Sequence, residues 1–484
     1  MSESNGLAVR LRAAVGAREG EGAVLLWSTA YYFLVLCAYY VIRPIRDDIG
    51  AASGAEKLAW LFTGTLVGML AVHPLYTAVV SRFTRRRFIA WAYRFFILNL
   101  VLFYAVFRVV DPARVGWTGW VFFIWTSVFN LFVVSVFWSL VTDVFRPSQG
   151  KRLFGFVAVG GTLGAMLGAT ITTTLVSVVG SLNLLLVSAV IIELAVRASQ
   201  VLDRHEGTMR AAEAADTTST ERPTRDASSE VIGGGVLDGI THIVSSPYLL
   251  GIATLILFYT ISSTFLYFAQ ADIVREAFGS DSVGRTRVYG LRDLAVNALT
   301  LVGQLFLTGR VMKWLGVGVA LVVLPLVTMV GFAVLGVAPI LLVAMVFEVL
   351  RRASNFAIQR PAREALFTVV PRTDKYKAKN FSDTFVYRLG DQVGAWAYAG
   401  MAVFGLGASG LAFTMVPFSA LWVVLTVWLG RRYLALERGS RDAGAGEGGG
   451  LRHRGLSTRA APQGAHRTAL TPPRRPRAPG THRG

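Results

Sequence analysis

Ionisable side chains stand inside stretches that are otherwise apolar, and their spacing is helical. Arg46 and Asp47 close the first apolar run, Asp143 ends the fourth, and Glu193 lies in the sixth. Later come Arg292 and Asp293, then Glu348 with Arg351 and Arg352 three and four residues on, then Arg388 with Asp391 three residues on. Residues three or four apart share one helix face, so the last two groups set opposite charges side by side. An ion at mid-span costs at least about 2.5–3.5 kcal/mol, which turns it toward a partner or a water-filled cavity and away from lipid. Arginine adds a permanent charge and a fork of donors that fits carboxylate or phosphate. Arg46, Arg351, Arg352 and Arg388 are therefore the candidate ligands of an anionic solute, with Asp47 and Asp391 beside them. Asp391, Glu348 or Asp143 are the candidate proton carriers. The bland alternative is self-satisfied pairs that staple helices, and it weighs most at the span ends, for Asp143, Arg292 and Asp293.

The elements that must position these residues follow from composition. The 484 residues are 54% hydrophobic and 16% charged, against roughly 25% charged in a soluble chain. A bilayer core about 30 Å thick needs about 20 apolar residues of helix. Twelve runs meet that length or approach it: 23–43, 58–80, 88–110, 117–141, 153–179, 181–198, 248–270, 288–308, 314–336, 338–358, 383–406 and 409–430. Barrel strands would be about 10 residues long and alternating. The expectation is an all-α polytopic membrane protein of twelve helices in two six-helix halves. The first run is too long for a cleaved leader and lacks a cleavage site after it. The chain divides into an N-terminal segment (1–22), a first half (23–198), a polar linker (199–247), a second half (248–430) and a basic tail (431–484) expected to be disordered.

Loops rich in Lys and Arg face the cytoplasm. They follow the second span (Arg82, Arg85, Arg86, Arg87), the fourth (Arg146, Lys151, Arg152), the tenth (Arg360, Arg363, Arg372, Lys375, Lys377, Lys379) and the twelfth (Arg431, Arg432). The opposite loops are short or of mixed charge, as in Arg43–Lys57 and Asp272–Asp293. A multi-pass protein of the cell membrane with both termini cytoplasmic is expected. Basic loops recur at matching places in the two halves, Ser81–Arg87 and Gly309–Gly316. Paired halves with a central site between them describe a secondary transporter. Arg82, Lys377 and Lys379 would then lock one state from the cytoplasmic side, with Asp143 and Glu348 as coupling groups.

Other classes are excluded by what is missing or misplaced. The net charge of +19 owes much to ten arginines between Arg438 and Arg483, in a segment too polar to fold alone. Beside a bilayer such a tail attracts anionic head groups, so no nucleic acid is expected. Cys37 is the single cysteine. Gly405-Leu406-Gly407-Ala408-Ser409-Gly410 matches the dinucleotide pattern but follows no strand, and Gly150-Lys151 lacks the rest of a P-loop. No enzyme activity, catalytic metal or cofactor is expected, and no obligate protein partner. Gly160, Gly164 and Gly168, with Gly161 and Ala165 beside them, form one small-residue face that lets another helix approach closely.

The chain also resembles the ATP/ADP translocase family, relatives of the major facilitator fold, in patches from the first span to the eleventh. Tyr40-Val41-Ile42-Arg43-Pro44-Ile45-Arg46-Asp47 is similar to that family's Leu-Arg-Asp-Thr-Lys-Asp segment. Phe137-Trp138 followed by Gly150-Lys151-Arg152-Leu153-Phe154-Gly155, then Ile243–Leu250, then Lys377–Asp383 with Arg388-Leu389-Gly390, resemble its later signatures in order. The resemblance puts the family's first lysine on Arg46, its two glutamates near Thr126 and on Tyr267, its Trp-Lys on Gln270-Ala271 and its last lysine on Asp391. Only the first of these keeps its charge. The function this implies is alternating-access transport of an anionic organic solute, with nucleotide exchange foremost and Arg46 and Arg388 as anion ligands. Proton-coupled transport of another small solute and a non-transporting sensor or scaffold are the rival readings.

Overall fold

The computed structural model describes residues 21–80, 85–109, 116–216, 246–370, 378–379 and 381–452, and every regular element among them is helical. Helix α1 (Glu21–Ser53) turns at Gly54, whose φ of 78° suits a residue without Cβ, into α2 (Ala55–Val80). Next come α3 (Arg85–Val109) and α4 (Trp117–Val144). Helix α5 (Pro147–Asp216) bends at Gly180, with φ 79° and ψ 159°, and its two arms are the predicted fifth and sixth spans. Helix α6 (Pro247–Phe278) starts on Ser246, whose side chain accepts from the Leu249 amide, with Pro247 in the first turn. Helix α7 (Ser282–Phe306) is capped by Asp281 and followed at a 47° bend by the short α8 (Thr308–Trp314). Helix α9 (Gly316–Val337) precedes α10 (Leu341–Ser354), which passes through a π-helical turn at Asn355–Gln359 into α11 (Arg360–Leu366). A second π turn, Ser382–Val386, leads into α12 (Tyr387–Val403), and α13 (Ala408–Arg452) is the last helix described.

Among the described residues, eight helices are long and apolar enough to cross a bilayer, or nine if α7 and α8 make one span. One of the eight is α5, which has two arms. The tenth and eleventh predicted spans fall outside that set because π turns interrupt them, leaving 14 residues in α10 and 17 in α12. This is consistent with twelve crossings. Residues Met1–Ala435 make one compact unit and Leu436–Gly484 a second. The expected linker from 217 to 245, and the tail beyond Arg452, lie outside the described residues.

Helix ends are where the structure departs from the sequence reading. Arg43–Lys57 and Asp272–Asp293 are not mixed-charge loops. They are helix, apart from Gly54 and the turn at Gly279–Asp281. The charges there find partners on neighbouring helices, as described below, so the backbone need not unwind toward water. Likewise the second arm of α5 continues past residue 198 to Asp216, and α13 continues past 430.

The glycine face of α5 packs on α1. A Cβ on Gly164 would run into the Phe33 carbonyl, one on Gly168 into the Cys37 carbonyl, and one on Gly160 into Thr29. The face therefore holds two backbones together inside the first half, the packing role expected of it. The two halves meet where α1 lies against α6 and α7, α2 against α12, and the first arm of α5 against α7. Gly290 permits the last approach, since a Cβ there would stand 2.6 Å from Thr173 Oγ1. Gly164→Ala should lower the melting temperature of the purified protein by several degrees, through about 1–3 kcal/mol of overpacking. Gly155→Ala, where a Cβ meets nothing within 4 Å, should leave it unchanged, and equal melting of the two variants would refute the packing account.

Candidate functional site

The end of α1 away from the first described residue carries a buried ionic lattice. Arg292 of α7, with no side-chain exposure, donates from Nη2 to Asp47 Oδ2 at 2.6 Å and to its neighbour Asp293 Oδ1 at 3.0 Å. Asp293 Oδ1 also accepts from Arg43 at 2.8 Å and from Arg352 at 3.3 Å. Asp47 Oδ1 accepts from Arg46 at 3.1 Å and from the Tyr267 hydroxyl at 3.0 Å. Gln270 accepts from Arg292 Nη1 at 3.1 Å. Glu348 faces Arg351 at 3.7 Å and Arg352 at 3.9 Å, and Arg351 donates to Ser263 at 2.7 Å. Five arginines thus meet three carboxylates in a largely dry seam. Such a surplus of positive charge in low dielectric favours an anion nearby.

At the edge of this lattice, Arg46 also reaches a second setting. Its Nε donates to Ser127 Oγ at 2.9 Å, and its guanidinium lies 4.1 Å from the centre of the Phe123 ring. Together with Arg388 and Asp391 of α12 it lines a cavity of about 160 Å³. Asp391 accepts from Arg388 at 3.2 Å and from Thr264 at 3.2 Å. The cavity draws walls from α1, α2 and α4 of the first half and α12 of the second. Four further bonds close the seam. Asp48 accepts from Arg285 at 2.5 Å and from Ser282, and Thr63 donates to Gln392 at 2.9 Å while accepting from Trp396 at 3.1 Å.

The sequence-derived residues fall into separate groups. Arg46, Arg388 and Asp391 share the cavity. Asp47 and Arg352 belong to the ionic lattice, with Arg351 and Glu348 at its edge. Arg292 and Asp293, read as span-end residues, are its centre. Glu193 follows the stapling alternative, pairing with Arg94 at 3.2 Å and Arg197 at 2.9 Å on an outer face. Asp143 is exposed at the opposite end of α4. Lys379 pairs with Glu364 at 2.5 Å within its own half. Arg82 and Lys377 lie outside the described residues.

Arg43, Asp48 and Arg285 were absent from the sequence-derived site, and Tyr267 and Gln270 entered the sequence reading only as positions where the family's charges are lost. Arg285 and Arg292 are seven residues apart, two helical turns, with Tyr289 between them. Reading Asp272–Asp293 as helix would have put all three on one buried face.

An all-helical bundle of two packed halves, with an arginine-lined cavity between them, defines a membrane transporter. The chain belongs to the Major Facilitator Superfamily, whose family model matches residues 26–362. It is 22% identical over 479 residues to ADP,ATP carrier protein 2 of Chlamydia pneumoniae, covering 83% of this chain and 87% of that one. Both matches bear out the resemblance seen in the sequence patches. Solved structures show the same fold. An auto-inhibited POT family peptide transporter (TM-score 0.54, 12% identity) covers 85% of this chain and 96% of its own. A D-xylose–proton symporter (0.54, 14%) covers 84% and 96%, and the nucleoside transporter NupG (0.50, 12%) covers 85% and 99%.

The lattice yields a test of coupling. Removing one partner of a buried ion pair costs about 3–5 kcal/mol, whereas removing both is often near neutral. Arg292→Met should therefore depress the melting temperature strongly, and Asp47→Asn in the same protein should recover part of the loss. Additive losses in the double variant would mean that the two side chains act independently.

Proposed function

We propose that this transporter moves an anionic organic solute by alternating access, and that it exchanges nucleotides of the ATP/ADP type. The observation that carries the reading is the placement of Arg46 from the first half and Arg388 from the second on one cavity. A solute anion held by both guanidiniums bridges the halves, and its binding energy then differs between open and closed states. Only such a difference can drive the transition. The surplus of arginine in the adjoining lattice supports an anion over a neutral sugar, and the similarity to an ADP,ATP carrier supports a nucleotide. With the basic loops and both termini in the cytoplasm of a bacterial inner membrane, the ionic lattice closes the external end.

Labelled ATP should enter proteoliposomes only when they contain ADP. Uptake without internal ADP would exclude exchange. Arg46→Ala and Arg388→Ala should each reduce uptake about ten- to a hundredfold, the worth of a charged hydrogen bond, with an unchanged chromatographic profile. Normal uptake by Arg388→Ala would remove that residue from the site.

A second reading has its own observation. Asp391 is a carboxylate inside the solute cavity, bonded to the arginine that would hold the anion. If its protonation released Arg388, a pH gradient would drive uptake without a counter-substrate. Asp391→Asn should abolish gradient-driven uptake under proton coupling, whereas under the nucleotide reading ATP uptake should persist with a weaker dependence on internal ADP.

A further inference from the structure

The cavity holds neutral polar groups that its charged residues do not use. Thr65 of α2 is 8% exposed, and its Oγ1 has no hydrogen-bond partner among the described residues. Asn130 of α4 makes no side-chain hydrogen bond there, so its amide is free to accept and to donate in one plane. Gln392 of α12 uses only Oε1, which accepts from Thr63 at 2.9 Å, and this leaves Nε2 as a donor. All three line the cavity together with Arg46 and Arg388, and Phe62 of α2 supplies an aromatic wall. Buried polar atoms are nearly always satisfied, and one left unpaired calls for a reason such as a ligand. Guanidiniums already match an anion. A threonine hydroxyl, a carboxamide fork and a second amide donor match a part of the solute that is uncharged and carries both donors and acceptors.

We infer that Thr65, Asn130 and Gln392 form a specificity subsite for the nucleobase edge, beside the arginines that hold the phosphates. This rests on the nucleotide reading above. A carboxamide fork pairs with the amino and ring-nitrogen edge of adenine in two parallel hydrogen bonds, and an aromatic wall offers the base a stacking face. Gln392 also bridges α12 to α2 through Thr63, so base recognition and closure of the seam share one side chain.

The test is equilibrium binding of ATP and of inorganic tripolyphosphate to the purified full-length protein. Wild type should bind ATP at least about tenfold more tightly, the yield of one or two added hydrogen bonds. Thr65→Val and Asn130→Leu should each weaken ATP about three- to tenfold and leave tripolyphosphate within about twofold, whereas Arg388→Ala weakens both. Purine riboside triphosphate, which lacks the amino group, should bind wild type about as weakly as those variants bind ATP, and this arm needs no variant to fold. Equal binding of ATP and tripolyphosphate by wild type overturns the subsite, as does an ATP preference that survives in both variants. Binding of neither compound overturns the nucleotide reading together with the subsite.

Discussion

The seam between the two halves depends on Arg292 and the two aspartates it joins. Arg292 and Asp293 lie on one helix of the second half, Asp47 on the first helix of the first half, and none of the three side chains is exposed. Stripping three ions of water is costly, and only near-ideal geometry repays it. Here the repayment comes from crowding, with Asp47 receiving three donors and Asp293 three arginines. That arrangement exists only while the halves are together. Separation returns the same ions to water, which solvates them well. A polar seam of this kind can be stable either closed and paired or open and hydrated, whereas an apolar seam favours only the closed arrangement.

Packing inside the first half obeys the opposite rule. The face built from Gly160, Gly164 and Gly168 sets α5 against the backbone carbonyls of α1. Close backbone contact between helices has no hydrated alternative, so α1 and α5 stay together as one body. Any movement of the first half during transport would carry the ionic residues at the far end of α1 with that body. Gly290 also brings α7 close to α5, but across the seam and against the Thr173 side chain. Small residues therefore serve both rigid packing and a separable surface, and the polar neighbours decide which.

Much of the fold was legible, for physical reasons that also mark the limits. Apolar length gave the spans, and Gly180 parted the fifth from the sixth because only a residue without Cβ accepts φ 79° so readily there. The helix ends at Arg43–Lys57 and Asp272–Asp293 were misread because hydropathy treats a charge as a signal for water, whereas these charges have each other. Arg46, Arg388 and Asp391 were found from charge inside apolar runs, and the structure brings them to one cavity. Thr65, Asn130 and Gln392 were invisible, since a neutral polar residue in a span disturbs the pattern too little to be noticed. The pairing of Asp48 with Arg285 was missed for a different reason: it joins residues 237 positions apart, which no local spacing encodes.

Arg46 stands where the cavity and the lattice meet, bonded to Asp47 on one side and lining the solute space on the other. Arg388 has the same double standing through Asp391. Each cavity arginine therefore has an internal carboxylate that a bound anion must displace or share. Displacement from Arg46 would withdraw one of the three donors on Asp47, and so change how tightly the first half holds Arg292. Binding at the centre and closure at the end would then draw on the same carboxylate. Coupling free energies of about 1–3 kcal/mol suffice for allostery between sites, which is the scale of one charged hydrogen bond. On the exchange reading, an empty cavity keeps its carboxylates on the arginines and the seam closed. An occupied one competes for them, and that competition is what would make crossing conditional on cargo.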